Sequence, residues 1–132
     1  MSQIIALSEA ATIGLHSMVL IARSKEMINV VAIADAIHSS RHHVAKIMQR
    51  LSKDGYVHSN RGPNGGFVLR KDPKDISLLN IFECIEGRFE IQSCPGHKDV
   101  CPFGSCLLGD LSFRLSTELR EYLAGKNLQD YL

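Results

Sequence analysis

The stretch from Gly55 to Leu69 constrains this chain more than any other part of it. Tyr56-Val57-His58-Ser59 alternates as a strand does, and Phe67-Val68-Leu69 reads as its return partner. Between them, Arg61-Gly62-Pro63-Asn64-Gly65-Gly66 gathers the residue types that make tight turns and permit positive φ. A short hairpin is therefore expected directly after Gly55, a natural helix stop.

Three helices are predicted ahead of that hairpin. Leu7, Ala11, Gly14, Met18 and Ile21 mark an apolar stripe on a first helix from about Ser8 to Ser24. Asn29 can cap a second helix, in which Val30, Ile33, Ala34 and Ile37 recur at helical spacing. His38-Ser39-Ser40 breaks it and caps a third helix, from about Arg41 to Asp54, that buries Val44, Ile47, Met48 and Leu51. Helix, helix–turn–helix and hairpin, in that order, make a winged helix. A helix from Ser77 to Ile85 follows, then an irregular cysteine-bearing stretch from about Phe89 to Cys106. A last helix, Leu107 to Leu123, places Leu108, Leu111, Leu115, Leu119 and Tyr122 on one stripe. The expected fold class is mainly α with a small β-hairpin wing, a winged helix-turn-helix domain plus a long C-terminal helix.

Charge divides the chain in the same place. Residues 1–73 carry nine Lys/Arg against five Asp/Glu, whereas residues 74–132 carry six against nine. A net charge of +4 at the front and −3 at the rear sets a polyanion-facing module beside something else. The expected boundaries are a DNA-binding domain over residues 1–75 and a sensor loop with its helix over residues 76–132. With no Trp in the chain, a stacking platform for single-stranded nucleic acid is not expected. The apolar run from Ile4 to Ile21 lacks a basic leader and is interrupted by Glu9 and His16, so neither a signal peptide nor a membrane span is expected. A cytoplasmic location follows as an expectation, and there cysteines stay reduced.

Phasing the third helix with its apolar residues inward turns His42, Lys46, Gln49 and Lys53 outward. A helix–turn–helix reads base edges with the first turns of its second helix, which makes His42 and Lys46 candidates for that role. Ser40 and Arg41 stand at the helix start, where side chains and backbone N–H groups meet phosphate. Arg61 leads the wing tip and suits phosphate contact or minor-groove insertion. The expected partner is double-stranded DNA.

Cys94, Cys101 and Cys106 are spaced C-x6-C-x4-C among Pro95, Gly96, Pro102 and Gly104. Thiolates are soft anionic donors for iron or zinc, and a Pro/Gly-rich loop can wrap them round one centre. Zinc sites favour closer pairs, whereas iron–sulfur clusters tolerate varied spacing and a non-Cys fourth ligand. His97 and Asp99 are further donors inside the loop. Cys84, between neighbours Phe82 and Ile85 on a helix, reads as a packed core thiol. No motif places a Cys beside a base, and there is no phosphate-binding loop or metalloprotease helix, so catalysis is not expected.

Helix–turn–helix, then "GYVHSNRGPNGGFVL", then "ISLLNIFECIEG", then the three-cysteine loop together resemble the IscR/NsrR-type regulators, the Rrf-two family. The resemblance covers essentially the whole chain. It implies a homodimer on a palindromic operator, with the C-terminal helix of each subunit crossing onto the other. It also implies base contacts at His42, Ala45, Lys46 and Arg61, and a 2Fe–2S or 4Fe–4S iron–sulfur cluster on the three cysteines. The usual spacing in the family is near C-x5-C-x5-C, and IscR-like members carry a histidine after the last cysteine, where this chain has Leu107-Leu108-Gly109-Asp110. In NsrR-like members an acidic residue early in the first helix of the other subunit serves instead, and its match is Glu9. A cluster-free thiol switch and a zinc-stabilised interaction protein are the alternative functions.

Overall fold

The computed structural model describes residues 7–91, 94 and 101–132. Its elements run α1 (Glu9–Arg23), α2 (Val30–Ile37), α3 (Arg41–Lys53), β1 (Val57–Asn60), β2 (Gly66–Leu69), α4 (Leu78–Glu86) and α5 (Leu111–Gly125), with 3-10 turns at Pro73–Asp75 and Leu128–Tyr131. This is a winged helix with two further helices.

Four of the helix starts are written in their capping residues. The Ser8 hydroxyl accepts from Ala11 N at 3.0 Å, Asn29 Oδ1 from Ala32 N at 2.8 Å and Ser40 Oγ from His43 N at 3.1 Å. At α4, Ser77 Oγ accepts from Asn80 N while Asn80 Oδ1 accepts from Ser77 N, both at 2.9 Å. Each such cap stabilises its helix by about 1 kcal/mol. Between α2 and α3 the chain reverses at His38, whose φ of 55° is left-handed.

The antiparallel pairing runs from Val57↔Leu69 to Asn60↔Gly66. The first strand thus lies one residue later than the sequence suggests, and Tyr56 contributes a single bond, its carbonyl accepting from Arg70 N at 3.0 Å. Gly65 N donates to Gly62 O at 2.9 Å and closes the tip. An unforeseen third partner lies on the other side of β2. Ile28, just before α2, forms an antiparallel bridge with Phe67. That approach needs Gly66, because a Cβ there would lie 2.7 Å from Ile28 O.

One hydrophobic cluster joins both halves of the chain, running from Met18 through Ile33, Met48 and Val57 to Ile81 and Leu128. α1 crosses α4 at Gly14, where an added Cβ would lie 2.0 Å from Ile85 Cδ1. The C-terminal turn returns to the start of α4: Leu78 N donates to Lys126 O at 2.9 Å and Leu128 N to Ile76 O at 3.0 Å.

The last helix departs from expectation at its start. Gly109 takes φ 61°, with its N–H on Cys106 O at 3.0 Å, so residues 107–110 form turns and α5 begins at Leu111. Leu123 is its one fully buried residue and Leu119 is half-buried, while Leu108, Leu111, Leu115 and Tyr122 are exposed. The stripe exists, but it faces outward.

Candidate nucleic-acid interface and thiol segment

α3 lies against the core through Val44, Met48 and Leu51, with Ile47 half-buried. Those contacts fix its rotation and leave Arg41, His42, Lys46, Gln49 and Lys53 exposed. Ser40 is exposed as well, but its oxygen already serves as the α3 cap. The two adjacent histidines diverge in role. His43 Nδ1 lies 3.4 Å from Glu9 Oε1, so it faces α1, and its ring centroid is 6.2 Å from that of His42. Glu9, His43 and Lys46 line one small recess between α1 and α3.

Arg61 is exposed at the wing tip. It lines a furrow together with Gln49 and Lys53 of α3, so the wing and the outer face of α3 form one continuous surface. Sequence phasing turns Gln49 and Lys53 outward but does not show that they meet the wing. That Asn60 and Asn29 share this furrow is not legible in the sequence, because the Ile28–Phe67 bridge that brings α2 to the hairpin has no periodicity to read.

Of the three clustered cysteines, Cys94 is half-buried and Cys101 and Cys106 are exposed. No three His, Cys, Asp or Glu side chains among the described residues are grouped closely enough to hold a metal ion. A single subunit therefore does not bring Cys94, Cys101, Cys106 and Glu9 together. His97 and Asp99 lie outside the described residues. As a donor set, three thiols within one thirteen-residue stretch suit iron, and the accessibility of two of them leaves room for it.

Cys84 stands apart from that group. Its Sγ donates to Asp54 Oδ2 at 3.0 Å, and burial first, then the Asp54 carboxylate, push the thiol up to about 12. A thiol so strongly protonated is a poor ligand and a poor nucleophile. Among the described residues, no helix is long and apolar enough to cross a membrane.

The Rrf2 family description, "iron-dependent transcriptional regulator", matches residues 7–132. The chain belongs to this family. Among its relatives, NsrR of Bacillus licheniformis is 37% identical over 79 residues, which cover 59% of this chain and 55% of that protein. A putative HTH-type transcriptional regulator of Neisseria meningitidis serogroup B is 30% identical over 102 residues, 76% of this chain and 68% of the relative. The match to NsrR thus spans little more than half of that relative's length. Of the solved Rrf2-like folds, CymR, the global cysteine regulator of B. subtilis, superposes with a TM-score of 0.77 at 25% identity, covering 96% of this chain and 95% of CymR. IscR of T. potens superposes with a TM-score of 0.75 at 23% identity over 96% of this chain and 85% of its own, a likeness of fold.

Proposed function

We propose that this Rrf2 protein is a cytoplasmic transcription regulator that binds a palindromic operator as a homodimer. Its grip on DNA is set by an iron–sulfur cluster on Cys94, Cys101 and Cys106, with Glu9 of the second subunit as fourth ligand. The observation that carries the reading is the furrow that joins Gln49 and Lys53 of α3 to Arg61 on the wing, with Arg41, His42 and Lys46 exposed on the same helix. His42 and Lys46 sit on the first turns of α3, the part that reaches base edges. Arg41 at the helix start and Arg61 at the tip supply the phosphate-facing charges, and Ser40 holds the helix end in shape.

The cluster, when bound, supplies a redox- and nitric-oxide-sensitive centre that ties the thiol segment together. The chain's own residues carry that state toward DNA. α4 leads into the thiol segment and is bonded to the end of α3 through Cys84 and Asp54. Half-sites read on one DNA face lie about 34 Å apart, so a small change in the angle between subunits alters the fit. The contact between Glu9 and His43 of α3, at 3.4 Å, is a route by which a change at Glu9 would reach the helix proposed to read DNA.

Anaerobic native mass spectrometry of the purified protein tests this reading. A dimer carrying iron and sulfide is expected, with cluster retention lost in Glu9→Ala; a colourless, iron-free wild type overturns the cluster. The exposure of Cys101 and Cys106 favours one second reading, a cluster-free thiol switch on the same DNA-binding frame. Iron-free protein whose DNA affinity follows its thiol state would establish that alternative.

A further inference from the structure

A furrow of about 860 Å3 runs between the wing and the outer face of α3. Lys53 of α3 and Arg61 of the wing both line it, together with the amides of Gln49, Asn29 and Asn60, and among the described residues no Asp or Glu does. The α2 helix begins on the same furrow, with its Ala32 N–H already taken by Asn29 Oδ1. Phe67 and Val31 add apolar floor.

We infer that this furrow seats one sugar–phosphate strand of a DNA duplex, with Lys53 as its principal phosphate contact on α3. The inference rests on the DNA-binding reading above and extends it to residues outside the base-reading turns. The first turns of α3 enter the major groove and the wing tip faces the minor groove. The backbone strand that separates those two grooves must then pass between α3 and the hairpin, and that space is the furrow. Its chemistry fits such a strand: cations and amide donors for the phosphate oxygens, an apolar floor for deoxyribose, and no carboxylate among the described lining residues to repel either. Its volume falls within the ~300–1,000 Å3 of sites that enclose drug-sized ligands, so a lone anion would leave most of it unfilled. Phosphate contacts position a protein without reading sequence, which separates Lys53 from Lys46 in what each should do.

Fluorescence anisotropy of the full chain on a mixed-sequence duplex, at several salt concentrations, tests the assignment. Lys53→Ala should lower the slope of log affinity against log salt by about 0.9 for each engaged subunit. Between about 50 and 200 mM salt, each lost contact makes the fall in affinity about 3.5-fold smaller. Lys53→Arg should restore the slope, and Gln49→Ala should weaken binding with the slope unchanged. Lys74→Ala, outside the furrow, should leave the slope as in wild type; an equal fall there would reduce the effect to net charge and overturn the furrow. If Lys53→Ala keeps the wild-type slope while Lys46→Ala loses affinity, the furrow is empty and the DNA reading stands. A wild type that binds no duplex removes both.

Discussion

The Cys84 thiol donates to the Asp54 carboxylate at 3.0 Å, with Arg50 O a further 3.8 Å contact, and so bonds the body of α4 to the C-terminal end of α3. Asp54 is the residue on which α3 ends, its N–H returning to Arg50 O. Beyond α4 the order continues past Gly87, where Phe89 N donates to Glu83 Oε2 at 2.7 Å and the Phe82 and Phe89 rings lie 5.5 Å apart. The beginning of the thiol segment is thereby held in register with the helix that carries the basic face. A core thiol is what the apolar neighbours of Cys84 suggest; its hydrogen bond to a residue thirty positions earlier is what packing adds.

Reactivity should divide the cysteines accordingly. In the folded, cluster-free protein near pH 8, iodoacetamide should label Cys101 and Cys106 and spare Cys84, which becomes reactive only on unfolding; peptide mass spectrometry reads the sites. The same displacement has a pH consequence. The folded-state value, about 12, lies above the ordinary thiol value of 9.0. The protonated form is therefore favoured by folding, and its contribution is complete below pH 9 and lost as pH rises toward 12. Denaturant midpoints should fall over that window in wild type and fall less in Cys84→Ala. Rapid native labelling of Cys84 at pH 8 would count against the bond.

Ser17 is wholly buried in α1, and its hydroxyl has no hydrogen-bond partner among the described residues. An unsatisfied buried hydroxyl costs about 1–3 kcal/mol, and Ala is the better helix former. Ser17→Ala should therefore stabilise the protein by about 1 kcal/mol, raising Tm by roughly 3–5 °C in a circular-dichroism melt. A lower Tm would mean that the hydroxyl finds a partner in solution.

What could be read ahead of the structure was local. Ser8, Asn29, Ser40 and Ser77 act through bonds spanning three residues, so the helix starts are legible from the residues themselves. The outward face of α3 follows from Val44, Met48 and Leu51, since one buried stripe fixes a helix's rotation. Three features depend on distant partners and were not legible. The Ile28–Phe67 bridge is a single pairing without a repeat, and Cys84–Asp54 joins two helices. The leucines of α5 show a helical period whichever surface they face, so the pattern alone could not say that most would stand exposed. Its start was misplaced because Leu107 and Leu108 extend the apolar pattern through the turn that Gly109 makes.

Gly66 gives a test of how the wing is held. A Cβ there would meet the backbone of Ile28 at 2.7 Å, and backbone has no rotamer by which to yield. Gly66→Ala should break the Ile28–Phe67 bridge at a cost of about 1–3 kcal/mol. Hydrogen exchange should show protection lost at the Ile28 and Phe67 amides and kept across α1 and α4. DNA affinity should fall more than overall stability, because the wing moves while the core stays. Unchanged protection at both amides would show that the bridge tolerates the methyl.

The outward stripe of α5 carries the last prediction. Leu111, Leu115 and Tyr122 are 38%, 43% and 56% exposed, and they recur at spacings of four and seven, the seam of a helix that packs on another helix. Apolar residues aligned on one exposed face mark a contact surface, and in a homodimer the same stripe on the second subunit can cover it. Sedimentation of the wild type should therefore report a dimer. Leu115→Glu places a charge at the middle of the stripe and should weaken association by at least about 30-fold, a loss of about 2 kcal/mol typical of a central interface residue. The subunit itself should stay folded, because α5 is fixed to the core through Leu123 and Leu128 follows it inward. Binding to a duplex with two half-sites should then drop toward that for one half-site, since separate subunits no longer hold two α3 helices one DNA turn apart. A Leu115→Glu protein that still sediments as a dimer would place the interface on another face.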